Sequence, residues 1–448
     1  MTDITSEGSP FAGRVPAGET MAAFRNRWLW PVLLSLAWMA GLLLWQWNVH
    51  APDFSALYFA AEAFARGETA QVYAINANIF GGTVSREWAE MAFESGYSGK
   101  NLYPYIYPPL WAALIAPVTE MVSLTQFMRA GLLVQLPLVP LMALLAHRLT
   151  RSAMPVAQWM AITFAMMLGS FVGTLALQHN QPQLLVAFLI LLAFERQRRG
   201  RPVTAGAALA LAAAIKLYPL ALTLLWLVRG KRAPVVWFAV FGSALGLLSI
   251  FVAGPELHAI FLGRIREISD KVVSVGGAVG LDGILYQFTH FPEIAAAFHQ
   301  SRAESVLPLA QGFMAEQPGW IGPAVTVLLV AALSLVLRRM KRGDPMEDAA
   351  SALPMVLIAF SLSAPLAWYH HILPAFLLLP GLIERLGHRN GALVLLLFCF
   401  LTNEQVTIAL ALVQVDFLLA PLVGLAAYTM VLAALWKAQD RAISAAAG

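Results

Sequence analysis

Charged residues are scarce in this 448-residue chain: they make up 12% of it, against 59% hydrophobic residues. Soluble domains carry about 25% charged residues, so this composition excludes an ordinary soluble protein. A single cysteine, Cys399, leaves no partner for a disulfide framework. The glycine-rich stretch around Asp282 lacks the Gly-Lys-Ser/Thr ending and the preceding strand of a phosphate loop. A nucleophile elbow and a nucleotide fingerprint are also missing from the sequence.

The sequence instead contains long apolar runs. Three of them, at 29–48, 324–337 and 416–436, approach the roughly 20 residues that an α-helix needs to cross a bilayer. The sequence therefore predicts an all-α polytopic membrane protein. About 28 polar residues precede the first run, unlike the short basic start of a cleavable signal peptide, so we expect the first span to remain as an anchor.

Lysine and arginine cluster between the apolar runs, as they do in cytoplasmic loops. The clusters lie at 25–27, 148–151, 195–201, 229–232, 338–342, 384–389 and 437–441. Placing all of them on one side predicts about twelve membrane segments with both termini in the cytoplasm. These segments are roughly 29–49, 124–147, 155–177, 183–195, 203–215, 217–228, 234–253, 320–338, 350–366, 371–385, 391–412 and 415–436. Topology thus explains the formal net charge of +4, and we expect no nucleic-acid partner.

This topology divides the chain into a tail at 1–28, a membrane domain at 29–436 and a tail at 437–448. The loops at 50–123 and 254–319 are then extracytoplasmic. The apolar segment 107–121 must not cross fully, so we expect a juxtamembrane helix that starts at Pro108-Pro109 and breaks at Pro117. Several middle spans are too short for a straight crossing, which is tolerated where helices line a protein cavity.

Asp53 and Lys216 are the charged residues with the most unusual positions. Asp53 follows the first span and could cap a helix over 54–66 or act as a general base. Lys216 has about a dozen apolar residues on each side, too many for its side chain to reach the cytoplasm. It could lie at the tip of a helical hairpin in contact with external water, or bind an anion such as a lipid phosphate. Pro219 predicts a helix break beside it.

Two polar groups fall on the same predicted face of the membrane. His370 and His371 could belong to an interfacial belt with Trp368 and Tyr369, or they could hydrogen-bond a phosphate or a sugar. Adjacent residues on a helix point about 100° apart, and no ligand spacing of a zinc site accompanies the histidines, so we expect no metal. The stretch 178–183, "QHNQPQ", is either a turn ended by Pro182 or a set of amide donors for hydroxyl groups.

Taken together, these pieces resemble glycosyltransferase family 87 (the DUF2029 group), polyprenyl-phosphate-mannose-dependent α-mannosyltransferases of the GT-C superfamily. The resemblance rests on "DFSALYFAAEAFARGETAQVY", "YPYIYPPLWAALIAPV", "AGAALALAAAIKLYP" and "SLSAPLAWYHHILPAFLLLP", in this order. It covers about residues 29–390. The chain departs from many relatives at 177–183, where it reads Gln-His-Asn instead of a glycine-led turn.

The resemblance implies a GT-C fold with juxtamembrane helices in the first extracytoplasmic loop. It implies inverting transfer of a hexose, with mannose the commonest, from a polyprenyl-phosphate sugar to a glycolipid or glycan. Asp53 would be the general base, Lys216 would contact the donor phosphate, and His370 and His371 would lie near that phosphate or the acceptor. The other expected substrate-binding residues are Tyr58, Asn180, Gln181 and Tyr218.

No cofactor is expected, and the partners are the two substrates and membrane lipids. The expected location is a bacterial-type inner membrane, with the active site on the extracytoplasmic side. The alternative is a transporter or flippase of lipid-linked sugars. Transporters usually show paired, repeated halves, whereas here the two large loops are placed asymmetrically.

Overall fold

The fold is seen in a computed structural model, which describes residues 21–73, 85–97, 102–274, 278–296, 313–344, 348–365, 367–412 and 416–447. The first half of the chain forms helices α1 (Met21–Gln46), α2 (Pro52–Ala65), α3 (Arg86–Glu94), α4 (Pro109–Thr119), α5 (Leu124–Gln135), α6 (Leu138–Thr150), α7 (Val156–Gly169), α8 (Phe171–Gln178), α9 (Gln183–Arg198) and α10 (Pro202–Ile215). A short 3-10 helix, Thr69–Gln71, follows α2.

The second half contains α11 (Thr223–Val228), α12 (Arg232–Ser269), α13 (Leu281–Thr289), α14 (Ile321–Arg342), α15 (Ala352–Ser363), α16 (Leu373–Phe376), α17 (Leu382–Leu386), α18 (His388–Leu401), α19 (Glu404–Leu412) and α20 (Asp416–Ala447). Three further 3-10 helices are Tyr218–Leu222, Tyr369–Ile372 and Leu379–Gly381. Strands β1 (Lys271–Ser274) and β2 (Phe313–Glu316) form a small antiparallel ribbon, which the sequence did not predict.

Five helical stretches are long and apolar enough to cross a bilayer: Arg27–Gln46, Leu124–Thr150, Arg232–Ser269, Ile321–Arg342 and Leu419–Ser444. Two bent pairs raise the number to seven if each is one span: α7 with α8, bent by 77°, and α18 with α19, bent by 47°. The prediction of an all-α membrane protein is therefore confirmed. Within the described residues, the predicted count of about twelve is not reached, because the other apolar helices are 10–17 residues long.

Six of the seven basic clusters that set the predicted topology contact another cluster or residues next to one. Arg198 donates to the backbone oxygens of Arg148 and Leu149, which joins two of the clusters. Contacts of three more arginines join the later clusters in the same way: Arg229 with Asp348 and Gly343, Arg339 with Asp440, and Arg441 with the backbone of Arg385. Clusters far apart in the sequence thus contact one another.

Two hydrophobic cores organise the chain. The larger one is built mainly from α6 to α10 and α15 to α17, around side chains such as Trp159 and Phe376. The smaller one lies in the first predicted loop, where α2, α3 and α4 pack around Phe59, Tyr73 and Trp88. Helix α4 begins at Pro109, as the proline pair predicts, but it continues through Pro117 to Thr119.

Helix α12 connects these two cores. Its backbone breaks at Gly254, with φ 76° and ψ 156°, directly before Pro255. Positive φ is a conformation that glycine adopts without steric cost, and proline cannot continue a helix hydrogen-bond ladder. Beyond this break, Leu257 and Phe261 enter the smaller core. The predicted loop at 254–319 therefore opens with a helix that braces the first loop.

Burial of Asp282 makes the free energy of unfolding depend on pH. Burial raises the pKa of this carboxyl from 3.8 to about 6, although the backbone N–H groups of Gly283 and Asp282 oppose the shift. Folding therefore favours the neutral acid, and the stability it contributes below pH 4 is lost as the pH rises through 6. The penalty at pH 8 is about 3 kcal/mol.

We expect Asp282→Asn to melt at a higher temperature than the wild type at pH 8, and the two curves to converge near pH 4. Thermal unfolding of the detergent-solubilised protein at both pH values measures this. Asp270→Asn is the matched control, since Asp270 is exposed. A wild type at least as stable as Asp282→Asn at pH 8 would contradict the burial argument.

Candidate functional site

Asp53 lies in the first turn of α2, which begins at Pro52. The N-cap residue is Ala51, and no side chain caps the helix. The interpretation of Asp53 as the N-cap of a helix over 54–66 is therefore wrong. Proline is favoured at the first helical position, and this moves the helix start upstream of Asp53. The positive end of the helix dipole still stabilises a carboxylate in this turn.

His179 is the direct partner of Asp53. The Nδ1 atom of His179 lies 2.7 Å from Oδ2 of Asp53, and both side chains are about one-fifth exposed, at 20% and 19%. The Tyr103 ring lies beside the imidazole, with 5.5 Å between ring centroids and a tilt of 56° between the ring planes. Burial and the charge of Asp53 raise the pKa of Tyr103 to about 12, so this phenol stays protonated.

The turn between α8 and α9 holds His179 in place. Its backbone N–H donates to Leu175 O at 3.2 Å, and the next residue, Asn180, adopts a left-handed conformation with φ 49°. Asparagine tolerates this conformation better than most residues. Asn180 and Gln181 are buried at 4% exposure each, and the Asn180 side-chain oxygen has no hydrogen-bond partner. The turn thus presents buried polar groups and is not a solvated loop.

Lys216 lies where α10 ends. The helix stops at Ile215, and Lys216 is extended, with φ −136° and ψ 133°, before the 3-10 helix that contains Pro219. This agrees with the helix break that the proline predicted. The ammonium nitrogen lies 5.8 Å from the centroid of the Tyr107 ring. In the described part of the chain, Lys216 forms no ion pair with a carboxylate.

Residues of the first loop attach directly to these helix ends. The Tyr107 hydroxyl donates to Gln181 Oε1 at 3.2 Å, and the Trp111 ring nitrogen donates to Ala214 O at 2.7 Å. The loop that carries Asp53 is therefore fixed to both the His179 turn and the end of α10. This attachment positions three separate stretches of sequence around one site.

His370 and His371 occupy the 3-10 helix Tyr369–Ile372, and their rings stand at 83° with centroids 4.8 Å apart. His370 is buried at 3% exposure, and its Nδ1 atom has no hydrogen-bond partner. Gln183 connects this helix to the 3-10 helix Tyr218–Leu222, because its amide donates to the Tyr218 hydroxyl at 2.8 Å and to His371 O at 3.4 Å. Since that hydroxyl accepts from Gln183, its own proton remains available to a ligand.

Electrostatic interactions show which of the predicted residues come together. Lys216 interacts with Asp53 on one side and with His370 and His371 on the other. His370 also interacts with His179. The structure therefore gathers a carboxylate, a lysine and three imidazoles from distant parts of the sequence. A general base and a group of cations and donors can act on one bound molecule in such an arrangement.

Tyr58 lies apart from this cluster. It is 6% exposed, and its hydroxyl donates to Val122 O at 3.0 Å, which ties α2 to the turn after α4. The structure thus gives Tyr58 a packing role in the first loop.

The sequence predicted a polar stretch at 178–183 but not the individual roles of His179 and Gln183, and it did not predict Tyr107 as a site residue. The available signal was the density of polar side chains in that stretch, between two apolar runs.

An apolar cavity of about 370 Å³ opens beside the cluster. It lies between α2, α4 and α5 on one side and the ends of α9 and α10 on the other. Ile215 and Tyr107, which adjoin Lys216, form part of its wall. The remaining lining residues are Phe54, Leu57, Trp111, Ile115, Val118, Phe127, Ala130, Gly131, Val134, Gln135, Leu138, Pro182 and Leu185.

A smaller pocket of about 100 Å³ lies near the start of α2 and has a mixed polar and apolar lining. Asn180 and Ala51 border it, next to His179 and close to Asp53 in the sequence. Gln46 lines it as well, is 6% exposed, and has a buried side-chain nitrogen without a partner. Arg129 and Trp47 also line the pocket, with the guanidinium 4.6 Å from the Trp47 ring centroid. The site therefore has an apolar compartment and a more polar one.

Comparison with known proteins identifies a family. The sequence model of glycosyltransferase family 87 matches residues 105–365, more than half of the chain. The match includes Lys216 and the His179 turn, while Asp53 and the histidine pair fall outside its bounds. No curated protein and no solved structure matches the chain. The chain belongs to glycosyltransferase family 87.

Proposed function

We propose that this membrane glycosyltransferase moves a hexose, with mannose as the first candidate, from a polyprenyl-phosphate donor to a hydroxyl of a glycolipid or glycan. The observation that carries the proposal is the apolar cavity that ends beside Lys216. A lipid-linked donor needs an apolar compartment for its chain and a cationic group for its phosphate, side by side. A nucleotide-sugar donor would have no use for the first of these.

The cavity suits an isoprenoid chain. Its lining is apolar except for Tyr107 and Gln135. Ligand pockets typically enclose 300–1,000 Å³, and each methylene that leaves water contributes about 0.8 kcal/mol. A few isoprene carbons next to the phosphate would fill about 370 Å³, and the rest of the chain would continue into the bilayer.

Lys216 and the histidine pair suit the phosphate. Negative charge develops on the phosphate oxygen as the bond to the sugar breaks, and fixed cations and donors stabilise that charge. Lys216 has no carboxylate partner within the described residues, so its charge is available to an anion. His370 has an unpartnered ring nitrogen, and the Tyr218 hydroxyl can donate as well.

Asp53 suits the acceptor side of the reaction. Inverting transfer requires removal of a proton from the acceptor hydroxyl on the face of the sugar opposite the leaving phosphate. We propose that Asp53 provides the negative charge for this step. The acceptor's hydroxyl groups would enter the small pocket near the start of α2, where Gln46 and Asn180 hold unpartnered polar atoms.

The orientation proposed from the sequence places this site on the extracytoplasmic side of a bacterial-type inner membrane. In support of this orientation, six of the seven basic clusters contact another cluster or residues next to one, and positive loops resist translocation. A GT-C arrangement of about twelve segments, with α2 to α4 as juxtamembrane helices, remains part of the proposal.

Incubation of the purified protein with a panel of polyprenyl-phosphate sugars and candidate acceptors tests this function. We expect one donor sugar to give a product heavier by one hexose and free polyprenyl phosphate in equal amount. Movement of the intact donor across a vesicle bilayer, without transfer, would instead support the transporter alternative and contradict the proposal.

Filling the apolar cavity should weaken donor binding. Ala130 lines the cavity on α5, and Ala130→Trp would displace isoprenoid carbons. Loss of contact with two methylenes costs about 1.6 kcal/mol, which corresponds to a donor KM raised roughly tenfold. Steady-state kinetics at saturating acceptor measure it. Ala244→Trp, on the exposed surface of α12, is the matched control. An unchanged donor KM in Ala130→Trp would contradict the assignment of the cavity.

A further inference from the structure

The Asp53–His179 pair has a defined protonation pattern. A carboxylate only accepts hydrogen bonds, so the proton in the 2.7 Å contact must be carried by Nδ1 of His179. In the neutral imidazole, the other nitrogen, Nε2, then holds a lone pair. Both side chains are about four-fifths buried, which strengthens their interaction relative to one in water. Asp53 thereby selects one tautomer of His179.

The surroundings of His179 leave Nε2 available. The ring contacts Asp53 at Nδ1, and the Tyr103 ring lies beside it, tilted by 56°. No hydrogen bond to Nε2 occurs within the described residues. The backbone of His179 is fixed by the α8–α9 turn, and the contact with Asp53 orients the ring. A fixed imidazole with an open basic nitrogen is the arrangement that a general base requires.

We infer that His179 is the proton acceptor of the transfer reaction and that Asp53 acts through it, as the orienting carboxylate of an Asp–His dyad. This inference rests on the proposed function and refines the role given there to Asp53. The same division of labour, with an acid that orients and a histidine that takes the proton, operates in hydrolase triads. Here the nucleophile is the acceptor hydroxyl.

The acceptor O–H bond breaks, and its proton moves to Nε2 of His179. The oxygen forms a bond to the anomeric carbon of the donor sugar, and the carbon–oxygen bond to the phosphate breaks, with its electron pair leaving on polyprenyl phosphate. The resulting imidazolium is stabilised by Asp53. Water takes the proton after the products have left, which restores the dyad.

The chemistry favours the imidazole over the carboxylate as the atom that receives the proton. An imidazole is the stronger base in water, and Oδ2 of Asp53 already accepts a hydrogen bond. Lys216 interacts with Asp53 from the donor side, and its positive charge would oppose a second cation there. The negative charge of Asp53 offsets this repulsion when His179 becomes protonated.

The substitution His179→Asn distinguishes proton transfer to His179 from proton transfer directly to Asp53. The asparagine amide can still donate to Asp53 from near the position of Nδ1, but it has no basic nitrogen. We expect kcat to fall by about 100-fold or more, the lower part of the range for general base catalysis, with donor KM unchanged. We also expect added imidazole to restore saturable activity to His179→Ala. Steady-state transfer from polyprenyl-phosphate mannose measures both.

Two results would overturn the assignment of His179 as the proton acceptor. If His179→Asn keeps kcat within about threefold of the wild type, Asp53 takes the proton itself and the inference is overturned. Failure of imidazole to rescue a folded His179→Ala also overturns it. His179→Gln serves in place of His179→Asn if the latter does not elute as the folded wild type does. The wild-type protein is assayed in parallel. If the wild type transfers no sugar, the proposed function itself is refuted, whereas loss in the variants alone concerns only His179.

Discussion

Asp53→Asn is expected to lower kcat by roughly 10²–10⁴-fold, the range that general base catalysis contributes, with donor KM nearly unchanged. The substitution keeps the size of the side chain but removes the charge that His179 contacts at 2.7 Å. Without that charge, neither the tautomer of the imidazole nor its protonated form is stabilised. Initial rates of sugar transfer at saturating donor and acceptor measure the effect.

Glu62→Gln is the matched control, because Glu62 is an acid of the same helix whose partner is Arg66, outside the cluster. We expect it to transfer sugar at nearly the wild-type rate. Comparable melting curves for the two variants would show that the loss in Asp53→Asn is not a loss of folding. Retention of more than one-tenth of the wild-type kcat by folded Asp53→Asn would contradict the role of the carboxylate.

Lys216→Met should raise the donor KM by roughly 10–100-fold. A hydrogen bond to a charged group contributes about 1.5–3 kcal/mol, and methionine keeps the length of the side chain without its charge. kcat should fall too, because the cation also stabilises the charge that develops on the leaving phosphate. Donor titrations at saturating acceptor separate the two parameters, and acceptor KM should not change.

Lys216→Arg and Lys231→Met complete this comparison. Arginine keeps a positive charge at the site, so we expect part of the donor affinity to return. Lys231 is exposed in a predicted cytoplasmic cluster, and its replacement should leave all kinetic parameters as they are. A Lys216→Met variant with the wild-type donor KM would contradict the proposed contact between Lys216 and the donor phosphate.

The local features of the site could be read from the sequence. Pro219 predicted the break at Lys216, and the helix does end at Ile215. The proline pair predicted the start of α4. These features depend on the chemistry of one or two neighbouring residues, so a linear sequence contains them.

Long-range features could not be read in this way. His179 and Asp53 lie 126 residues apart, and only the packing of the first loop against α8 and α9 brings them together. Composition also cannot distinguish a straight span from a bent pair such as α7 and α8, since both are equally apolar. Tyr58 lies in the same segment as Asp53, but it faces the core of the loop and not the cluster.

The stereochemistry of the product tests the central claim most directly: that Asp53, His179 and Lys216 form one site for direct transfer from a polyprenyl-phosphate sugar. Purified wild-type protein is incubated with polyprenyl-phosphate mannose and its acceptor, and the product is analysed by mass and by nuclear magnetic resonance. The account predicts addition of one hexose with an inverted anomeric centre, and nearly none with Asp53→Asn. A product with retained configuration, or equal yield from Asp53→Asn, would contradict it.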